Sequence, residues 1–456
     1  MNETTRQVIV DHAELFACPR SDQALTKKDG TLYSRGGQVT FPWMGDIPWL
    51  FADPDTTLAD WRGRLDRAIK QYLHDADGID EELSGSLPDR QKSRLTRLRD
   101  AYRDQANRMS GLMSPLGAQQ SATNFYTYLA LRTRLPTDQG LNTYYANVHR
   151  DWVWGNAENQ VASDLISHHA ISPFGKTLVM GCGAGRLPYD IHMRHDCPLT
   201  IGLDFNPLLL LLADKMARGD TVQLYEFPLA PLDQNNLCVL QDLKAPRPAN
   251  DKLVFVAGDV LRPPFRPGSF DTIITPWLVD VIDEPFTVFA ARINQLLREG
   301  GQWINFGSLA FAHAEKAHNL LAEDTLEAVG RAGFETSKES NETIDYMCSP
   351  HSRHGRRETV FVFGTTKTED VPAPTRHASL PNWIVKGDTP VPKLRSFETQ
   401  SMSSRIYAFM MALVDGQRSI KDMAQLMVEQ KLLDPRDAEG TVKTFVIKMY
   451  EESQKS

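Results

Sequence analysis

Three features are scarce in this sequence, and each scarcity excludes a class of protein. The five cysteines, at positions 18, 182, 197, 238 and 348, show no paired spacing, which excludes a disulfide framework and is typical of reduced thiols. The longest apolar run, residues 207–213, is too short to span a bilayer, and polar and charged residues stand where a signal peptide would be apolar. With 58 acidic and 50 basic residues, the chain lacks the basic stripe of a nucleic-acid-binding protein. We expect a cytoplasmic protein that binds neither nucleic acid nor membrane.

The length of the chain indicates several domains. At 456 residues it is too long for a single hydrophobic core. Shifts in composition predict a small β ribbon over 1–55, a helical connector over 56–140, an α/β domain over 141–367, a proline-rich linker over 368–395 and a helical module over 396–456.

A glycine-rich segment follows a short apolar run in the middle of the chain. Residues 178–185 read Leu-Val-Met-Gly-Cys-Gly-Ala-Gly. Glycines are needed where a strand turns sharply into a helix and the backbone approaches a ligand. A dinucleotide fold would place its third glycine one position later, where this chain has Arg186. The pattern therefore favours S-adenosylmethionine over NAD as the cofactor.

Four further strand signals follow in order. The first is a strand over 199–203 that is followed by Asp204, and the second is a strand over 254–257 that is followed by Gly258-Asp259-Val260. The third is a buried strand over 270–275. The fourth, over 296–306, combines the end of a helix, a turn and a strand. Alternating strands and helices predict an α/β, Rossmann-like domain with a parallel sheet and a ligand at the carboxyl ends of the strands. The alternative is a Rossmann-like domain without methyl-transfer chemistry.

We predict that Asp204 accepts hydrogen bonds from the ribose hydroxyls of the cofactor and that Asp259 and Val260 bracket its adenine. The full set of predicted cofactor contacts is Gln160, Gly181, Gly183, Gly185, Arg186, Asp204, Phe205, Asp259 and Val260.

The N-terminal segment resembles the small zinc-ribbon modules that activate tRNA methyltransferases. Such ribbons carry two Cys-x-x-Cys pairs, but here Cys18 is accompanied by Ser21, Ser34 and Gly37 at the other three ligand positions. One thiolate cannot hold a structural zinc. We therefore expect no metal and a small core of Phe16, Tyr33, Phe41, Trp43 and Ile47. An unrelated β-hairpin cap is the alternative. Residues 58–115, with apolar positions at helical spacing, predict long solvated helices.

Motifs on both sides of the glycine segment resemble the carnosine N-methyltransferase family. The resemblance runs from about residue 144 to 366. It is carried by Val-His-Arg-Asp-Trp at 148–152, by residues 178–187, by Gly258-Asp259, by Val-Asp-Val-Ile-Asp at 279–283 and by Gly-Gln-Trp-Ile-Asn-Phe-Gly-Ser-Leu at 301–309.

This resemblance implies an imidazole nitrogen of a histidine-containing molecule or peptide as the methyl acceptor. Asp280 matches the family carboxylate that fixes the imidazole tautomer, although a helix-capping aspartate is the alternative. His313 comes one position later than the family histidine, and a plain surface histidine is an equal alternative. Tyr346 remains from a run of family tyrosines.

Cations replace the other family tyrosines in the segment 351–358, which reads His-Ser-Arg-His-Gly-Arg-Arg-Glu. We expect these arginines to rim the pocket and to favour an anionic acceptor, because guanidinium binds carboxylate and phosphate in a bidentate manner. A solvated basic hairpin loop is the alternative.

The C-terminal part follows a proline-rich stretch, 371–394, that predicts a linker. Helices are expected over 403–413, 419–429 and 441–451. Their order and the junction at 413–420 resemble PqqD-like modules, which implies a protein or leader-peptide partner. A three-helix cap on the active site is an equal alternative, and a DNA-binding domain ranks lower because the last helix has few lysines.

Together these patterns predict a methyltransferase that uses S-adenosylmethionine and acts on an imidazole. Two other hypotheses remain. One is methylation of another nitrogen or oxygen nucleophile on an anionic small molecule or ribosomal peptide. The other is a non-catalytic subunit that keeps the cofactor fold.

Overall fold

A computed structural model describes residues 3–36, 39–117, 140–282, 284–313, 315–374, 383 and 390–453. The chain separates into two compact units, residues 1–379 and 380–456. No helix among the described residues is both long and apolar enough to cross a membrane.

A nine-stranded sheet forms the centre of the first unit, in the order β13-β14-β12-β11-β6-β7-β10-β5-β4. Its strands are β4 (Trp43–Met44), β5 (Ile47–Leu50), β6 (Lys176–Met180), β7 (Leu199–Asp204), β10 (Leu253–Gly258), β11 (Phe270–Pro276), β12 (Leu297–Gly307), β13 (Phe334–Tyr346) and β14 (Arg356–Lys367). The five central strands β10, β7, β6, β11 and β12 are mutually parallel, and β14 and β13 are added antiparallel at one side. The predicted Rossmann-like α/β fold is confirmed.

The apolar runs of the central strands are explained by cores on both faces of the sheet. Leu178 and Met180 enter one core, whereas Val179 between them enters the other. Successive side chains of a strand point to opposite faces, so a parallel strand covered on both sides is apolar on both faces over most of its length.

Helices cover both faces of the sheet. In chain order, the α-helices in the described part of the first unit are α1 (Glu3–Asp11), α2 (Pro54–Leu83), α3 (Asp89–Leu112), α4 (Tyr145–His149), α5 (Asn156–His169), α6 (Arg186–His195), α7 (Pro207–Arg218), α8 (Phe286–Leu296) and α9 (Ala322–Arg331). The start of α7 is encoded locally. Asn206 accepts a hydrogen bond from the backbone of Leu208, and Pro207 occupies the first helical position.

The order of the strands places the glycine segment at a topological switch point. From β6 the chain proceeds to β7 and β10 on one side, and β11 and β12 lie on the other side. In open α/β sheets the ligand lies in the crevice that forms where the strand order reverses. The loop between β6 and α6, residues 181–185, begins at this position.

The N-terminal segment contributes strands to the central sheet. A small sheet of β1 (Thr26–Lys28), β2 (Thr31–Ser34) and β3 (Val39–Thr40) precedes β4 and β5. Strand β5 pairs in parallel with β10, with Trp49 opposite Ala257 and Leu50 opposite Gly258. The segment is therefore continuous with the first unit.

Cys18 is buried close to Ser21 and Ser34. Its burial acts to raise the pKa of the thiol, but hydrogen bonds from the hydroxyls of Ser21 and Ser34 and from the backbones of Arg20 and Ser21 together outweigh this effect and lower the pKa. The fourth ligand-like position, Gly37, lies outside the described residues. Of the predicted small core, Phe16, Phe41 and Ile47 are fully buried, and Tyr33 and Trp43 are half-buried.

Two long helices occupy the predicted connector. Helices α2 and α3 pack as an antiparallel hairpin, and Asp80 of α2 forms ion pairs with Arg99 at 2.9 Å and with Arg103 at 2.5 Å. A second hairpin, β8 (Thr221–Glu226) with β9 (Val239–Lys244), forms a separate two-stranded sheet that contacts α3.

The second unit contains three helices within described residues 390–453: α10 (Arg395–Ala412), α11 (Ile420–Glu429) and α12 (Ala438–Ser453). Their core includes Met410, Met423, Met427 and Val442. Helix α11 begins with a capping box of Ser419 and Asp422, as its sequence predicts. The first helix begins eight residues before the predicted start. Residues 371–374 and 390–394 contain neither helix nor strand, and most of the predicted linker between them lies outside the described residues.

Candidate functional site

The glycine segment adopts a backbone that only glycine accepts readily. Gly181, Gly183 and Gly185 have φ values of 73°, 55° and 84°, in the left-handed region that other residues avoid. A Cβ on Gly183 would meet no atom within 4 Å. Gly183 therefore borders open space, where a ligand can approach the backbone.

Gly185 serves the packing of α6 against the neighbouring helix. A Cβ at this position would lie 2.4 Å from the Cβ of Ala213 in α7. Gly185 does not line the cavity described below. Its contribution to the predicted cofactor site is therefore indirect.

Asp204 ends β7 next to the glycine loop. One carboxylate oxygen accepts a hydrogen bond from the Gly183 backbone and the other from the Asn206 backbone, both at 2.9 Å. Burial raises the pKa of Asp204 to about 6, although these backbone hydrogen bonds oppose the shift. Each oxygen keeps a second lone pair, so Asp204 can accept hydrogen bonds from two vicinal hydroxyls.

A cavity of about 310 Å³ opens at the carboxyl ends of β6, β7, β10 and β11. Gly181, Gly183, Asp204, Phe205, Asp259 and Val260, all predicted cofactor contacts, line it together. The Asp259 carboxylate accepts a hydrogen bond from the Leu261 backbone at 2.9 Å. The ring of Trp61 from the connector packs at 5.9 Å on Phe205. The sheet thus brings together residues that lie almost 80 positions apart in the sequence.

The opposite wall of the cavity is aromatic. Trp277 directly follows β11 and packs on Tyr346, the last residue of β13, with ring centroids 4.6 Å apart and ring planes tilted by 37°. Phe306 and Ile344 line the same wall. The family resemblance identified Tyr346, whereas Trp277 was missed. Its signal is a tryptophan immediately after a buried strand, at the edge where ligands bind.

Polar residues that precede the first strand of the domain also line the cavity, and the sequence analysis missed them. They are Asn147, Arg150, Asp151, Glu158 and Asn159. The available signal was the segment His-Arg-Asp-Trp at 149–152, which carried part of the family resemblance.

A π-helix, residues Arg150–Trp154, connects these polar residues to the glycine loop. Trp152 Nε1 donates a hydrogen bond to the Ala184 carbonyl at 2.8 Å, and Arg186 Nη1 donates one to the Asp151 carbonyl at 2.6 Å. Arg186, predicted as a cofactor contact, does not line the cavity. Its guanidinium pairs with Asp190 at 2.9 Å and holds the π-helix against α6.

Arg150 is the single cationic side chain among the described residues that line the cavity. It pairs with Asp151 at 2.6 Å and lies 5.0 Å from the centroid of the Tyr346 ring. Burial opposes its charge, but Asp151, Tyr346 and Glu158 hold the pKa of Arg150 above its usual range. It remains charged and can bind the carboxylate of a ligand.

The prediction of Gln160 as a cavity residue is not supported by its position. Gln160 is exposed, and its side-chain amide donates to Asp164 at 2.9 Å. Helical periodicity explains the error. Glu158, Asn159 and Ala162 occupy the face of α5 that lines the cavity, and Gln160 lies on another face.

Asp280 and His313 lie outside the set of residues that line the cavity. One oxygen of Asp280 accepts hydrogen bonds from the Ser308 hydroxyl at 2.6 Å and the Ala310 backbone at 2.8 Å. Its other oxygen is buried and has no hydrogen-bond partner within the described part of the chain. His313 stacks on Phe311, and its Nε2 is likewise buried without a described partner.

The arginine-rich loop does not rim the cavity, contrary to our expectation. None of residues 351–358 lines it. Instead the loop packs on the segment before β9, where the Arg353 backbone and side chain donate to the carbonyls of Ala230 and Leu232, both at 2.7 Å. Arg356 pairs with Glu358 and does not line the cavity. Its guanidinium carbon lies 4.8 Å from the centroid of the Tyr346 ring.

The arrangement fits S-adenosylmethionine. The Asp204 carboxylate would accept hydrogen bonds from the ribose hydroxyls, Asp259 and Val260 would border the adenine, and the Arg150 guanidinium would bind the methionine carboxylate. The backbone of Gly183 borders open space.

Comparison with known proteins gives the same class of chemistry. Residues 143–363 match the family model described as carnosine N-methyltransferase. A protein of that name from Dictyostelium discoideum is 26% identical over 190 residues, which cover 38% of this chain and 40% of that protein. The chain thus spans about two fifths of the length of the curated relative that it matches.

Solved structures also resemble part of the chain. An S-adenosylmethionine-dependent methyltransferase from Mesorhizobium loti is 12% identical, with a TM-score of 0.30, and the alignment covers 46% of this chain and 99% of that chain. A geranyl diphosphate methyltransferase in complex with GPP and sinefungin is 14% identical, with a TM-score of 0.30 and coverage of 46% and 77%. The segment 143–363 is an S-adenosylmethionine-dependent methyltransferase domain that is similar to the carnosine N-methyltransferase family.

Proposed function

We propose that the whole protein transfers the methyl group of S-adenosylmethionine to an imidazole nitrogen of histidine or of a histidine-containing peptide. One observation carries this proposal. The segment that matches the carnosine N-methyltransferase family, 143–363, contains both the glycine-and-aspartate wall and the aromatic wall of the cavity.

Methyl transfer from a sulfonium is an in-line displacement, and the bound cofactor supplies the electrophilic methyl group. The protein must therefore align a neutral nitrogen with that methyl group and exclude water. Trp277, Phe306 and Ile344 give the cavity an apolar wall. An imidazole is largely neutral near pH 7 and can react without prior removal of a proton.

Asp280 is the proposed partner of the imidazole N–H group. It lies between Leu278 and Val281, which both line the cavity, and its unpartnered buried oxygen supports the assignment. A carboxylate hydrogen-bonded to one ring nitrogen fixes the tautomer and stabilises the imidazolium that forms at the other. His313, with an unpartnered Nε2, is the second proposed contact of the acceptor.

The proposal is tested by incubating the full chain with methyl-labelled S-adenosylmethionine and a panel of acceptors. The panel contains histidine, carnosine, a histidine-containing peptide and an anionic hydroxy acid without an imidazole. We expect label on the imidazole compounds, located on a ring nitrogen by mass spectrometry. Label on the hydroxy acid alone would support another nucleophile. Cofactor binding without transfer to any acceptor would support a non-catalytic subunit.

The role of Asp280 is tested by Asp280→Asn with Asp345→Asn as the control. The amide of the Asp280→Asn variant keeps an oxygen for the Ser308–Ala310 segment but loses the charge that stabilises imidazolium, so we expect kcat to fall by roughly a hundredfold. S-adenosylhomocysteine affinity should not change. Asp345 is exposed and pairs with Arg357 on the surface, and its variant should keep full activity. Equal kcat values for the wild type and Asp280→Asn would remove Asp280 from the mechanism.

A further inference from the structure

Charge is unevenly distributed over the cavity wall. Five carboxylates line the cavity, against the single described cation, Arg150. They are Asp151, Glu158, Asp190, Asp204 and Asp259. A cationic or amine-bearing acceptor would meet complementary charge here, whereas an anionic acceptor would meet repulsion.

Two of these carboxylates already have a guanidinium partner. Asp151 pairs with Arg150, and Asp190 pairs with Arg186. Asp204 holds the backbones of the glycine loop and of Asn206. Asp259 lies close enough to Arg262 to interact with it electrostatically.

Glu158, like Asp204, is held by backbone N–H groups and not by a guanidinium, but it lies beside Tyr346. Its two oxygens accept hydrogen bonds from the backbones of Met347 at 3.1 Å and Cys348 at 3.0 Å. Within the described part of the chain it forms no ion pair with lysine or arginine, and Arg150, whose charge it supports from a distance, is bound to Asp151. Each oxygen retains a lone pair for a further donor.

Glu158 lies beside the aromatic wall of the cavity, where we expect the methyl acceptor to bind. The two residues that it holds, Met347 and Cys348, directly follow Tyr346, which forms the aromatic wall with Trp277. Glu158 itself lies in the first turn of α5 and lines the cavity. A carboxylate and an aromatic pair therefore lie side by side in the cavity wall.

We propose that Glu158 binds a protonated amine of the methyl acceptor. The acceptor class is then an imidazole that carries an ammonium group, as histidine and β-alanyl-histidine do, and the ring and the amine are recognised separately. This inference rests on the proposed function and replaces the anionic acceptor expected from the arginine-rich loop.

The experiment compares kcat/KM for carnosine and for N-acetylcarnosine, which share the imidazole but differ in the charge of the amine. A charge-assisted hydrogen bond contributes roughly 1.5–3 kcal/mol, so the wild type should prefer carnosine by roughly tenfold to a hundredfold. In Glu158→Gln, which keeps the size of the side chain, this ratio should fall to about one. Glu323→Gln, an exposed first-turn glutamate of α9, should keep the wild-type ratio.

The ratio of kcat/KM for carnosine to kcat/KM for N-acetylcarnosine distinguishes two roles of Glu158. One is binding of the amine, and the other is support of the backbone that follows Tyr346. If Glu158 only holds Met347 and Cys348, its variant loses activity with both acceptors equally and keeps the ratio, which overturns the inference. Equal use of both acceptors by the wild type also overturns it while leaving imidazole methylation intact. If neither acceptor is methylated although S-adenosylhomocysteine binds, the proposed function fails and this inference fails with it.

Discussion

At the scale of single residues, Asp204 is the most informative side chain of the proposed cofactor site. It is 6% exposed, joins the glycine loop to the end of β7, and has a pKa of about 6 because it is buried. A ribose diol would donate hydrogen bonds to the ionised carboxylate, so cofactor binding should favour the charged form.

We expect Asp204→Asn to weaken S-adenosylhomocysteine binding by roughly tenfold to a hundredfold, the loss of a charge-assisted hydrogen bond. The measurement is isothermal titration calorimetry at pH 7.5. Gln160→Ala is the control, because Gln160 is exposed and contacts Asp164. An unchanged dissociation constant for Asp204→Asn, or a weakened one for Gln160→Ala, would show that the site is misplaced.

The same carboxyl group gives the expected pH dependence. Its pKa rises from 3.8 in the unfolded chain to about 6 in the folded chain. Its protonation therefore stabilises the folded chain below pH 4, and this contribution is lost as the pH rises through 6. Cofactor binding has the opposite sign, because the ionised form binds the ribose. Affinity for S-adenosylhomocysteine should fall below pH 6 in the wild type and change less in Asp204→Asn.

Residues close to the strand ends could be predicted from the sequence because their signal is local. Gly181, Gly183, Asp204 and Asp259 each stand beside an apolar run, and the geometry of a parallel sheet brings such positions together. Arg150 and Glu158 could not be found in this way, because they reach the cavity from helices that precede the first strand of the domain and are placed by tertiary contacts.

At the scale of elements, the sheet was predictable where its strands are buried on both faces. Strand β7 is buried at all six positions, and its sequence is mostly apolar, with Thr200 and the terminal Asp204 as its polar residues. Strand β13 is mostly exposed along Glu335–Thr343, and its polar sequence carries no comparable signal. The pairing of β5 with β10 joins residues about 208 positions apart, and no local pattern encodes such a contact.

Strand β5 should be essential to the stability of the first unit. Trp49 is fully buried, its indole N–H donates to the Pro54 carbonyl at 3.1 Å, and its ring packs at 4.7 Å on Phe51. Trp49→Ala should lower the free energy of unfolding by about 3–5 kcal/mol, measured by urea denaturation with circular dichroism. Leu229→Ala, at a residue that is 79% exposed, should change it little. A loss below about 1 kcal/mol for Trp49→Ala would indicate that the N-terminal segment is only loosely joined to the sheet.

At the scale of the whole molecule, the division into two compact units allows catalysis and partner binding to be tested separately. All residues that line the cavity lie between 144 and 346, within the first unit, 1–379. The second unit has its own small core of α10–α12. Its resemblance to peptide-holding modules remains a prediction, as does the alternative of a cap on the active site.

A chain that ends at Ser379 should bind S-adenosylhomocysteine with the affinity of the full chain, since a unit with its own core can fold alone. If the second unit holds a peptide, this shortened chain should also methylate free carnosine at the full rate and lose activity only on a peptide substrate. Full cofactor affinity with lost turnover of carnosine would favour the cap, and a cooperative thermal transition would serve as the folding control.

The most direct test of the account follows the methyl group itself. The full chain is mixed with carnosine and S-adenosylmethionine that carries a ¹³C-methyl group, and the reaction is followed by proton–carbon correlation NMR. We predict that the sulfonium methyl signal disappears as an N-methyl-imidazole signal grows, and that Asp280→Asn slows this conversion. A sulfonium signal that persists while the cofactor is bound, or a methyl group that arrives on the amine or carboxylate instead of the ring, would contradict the account.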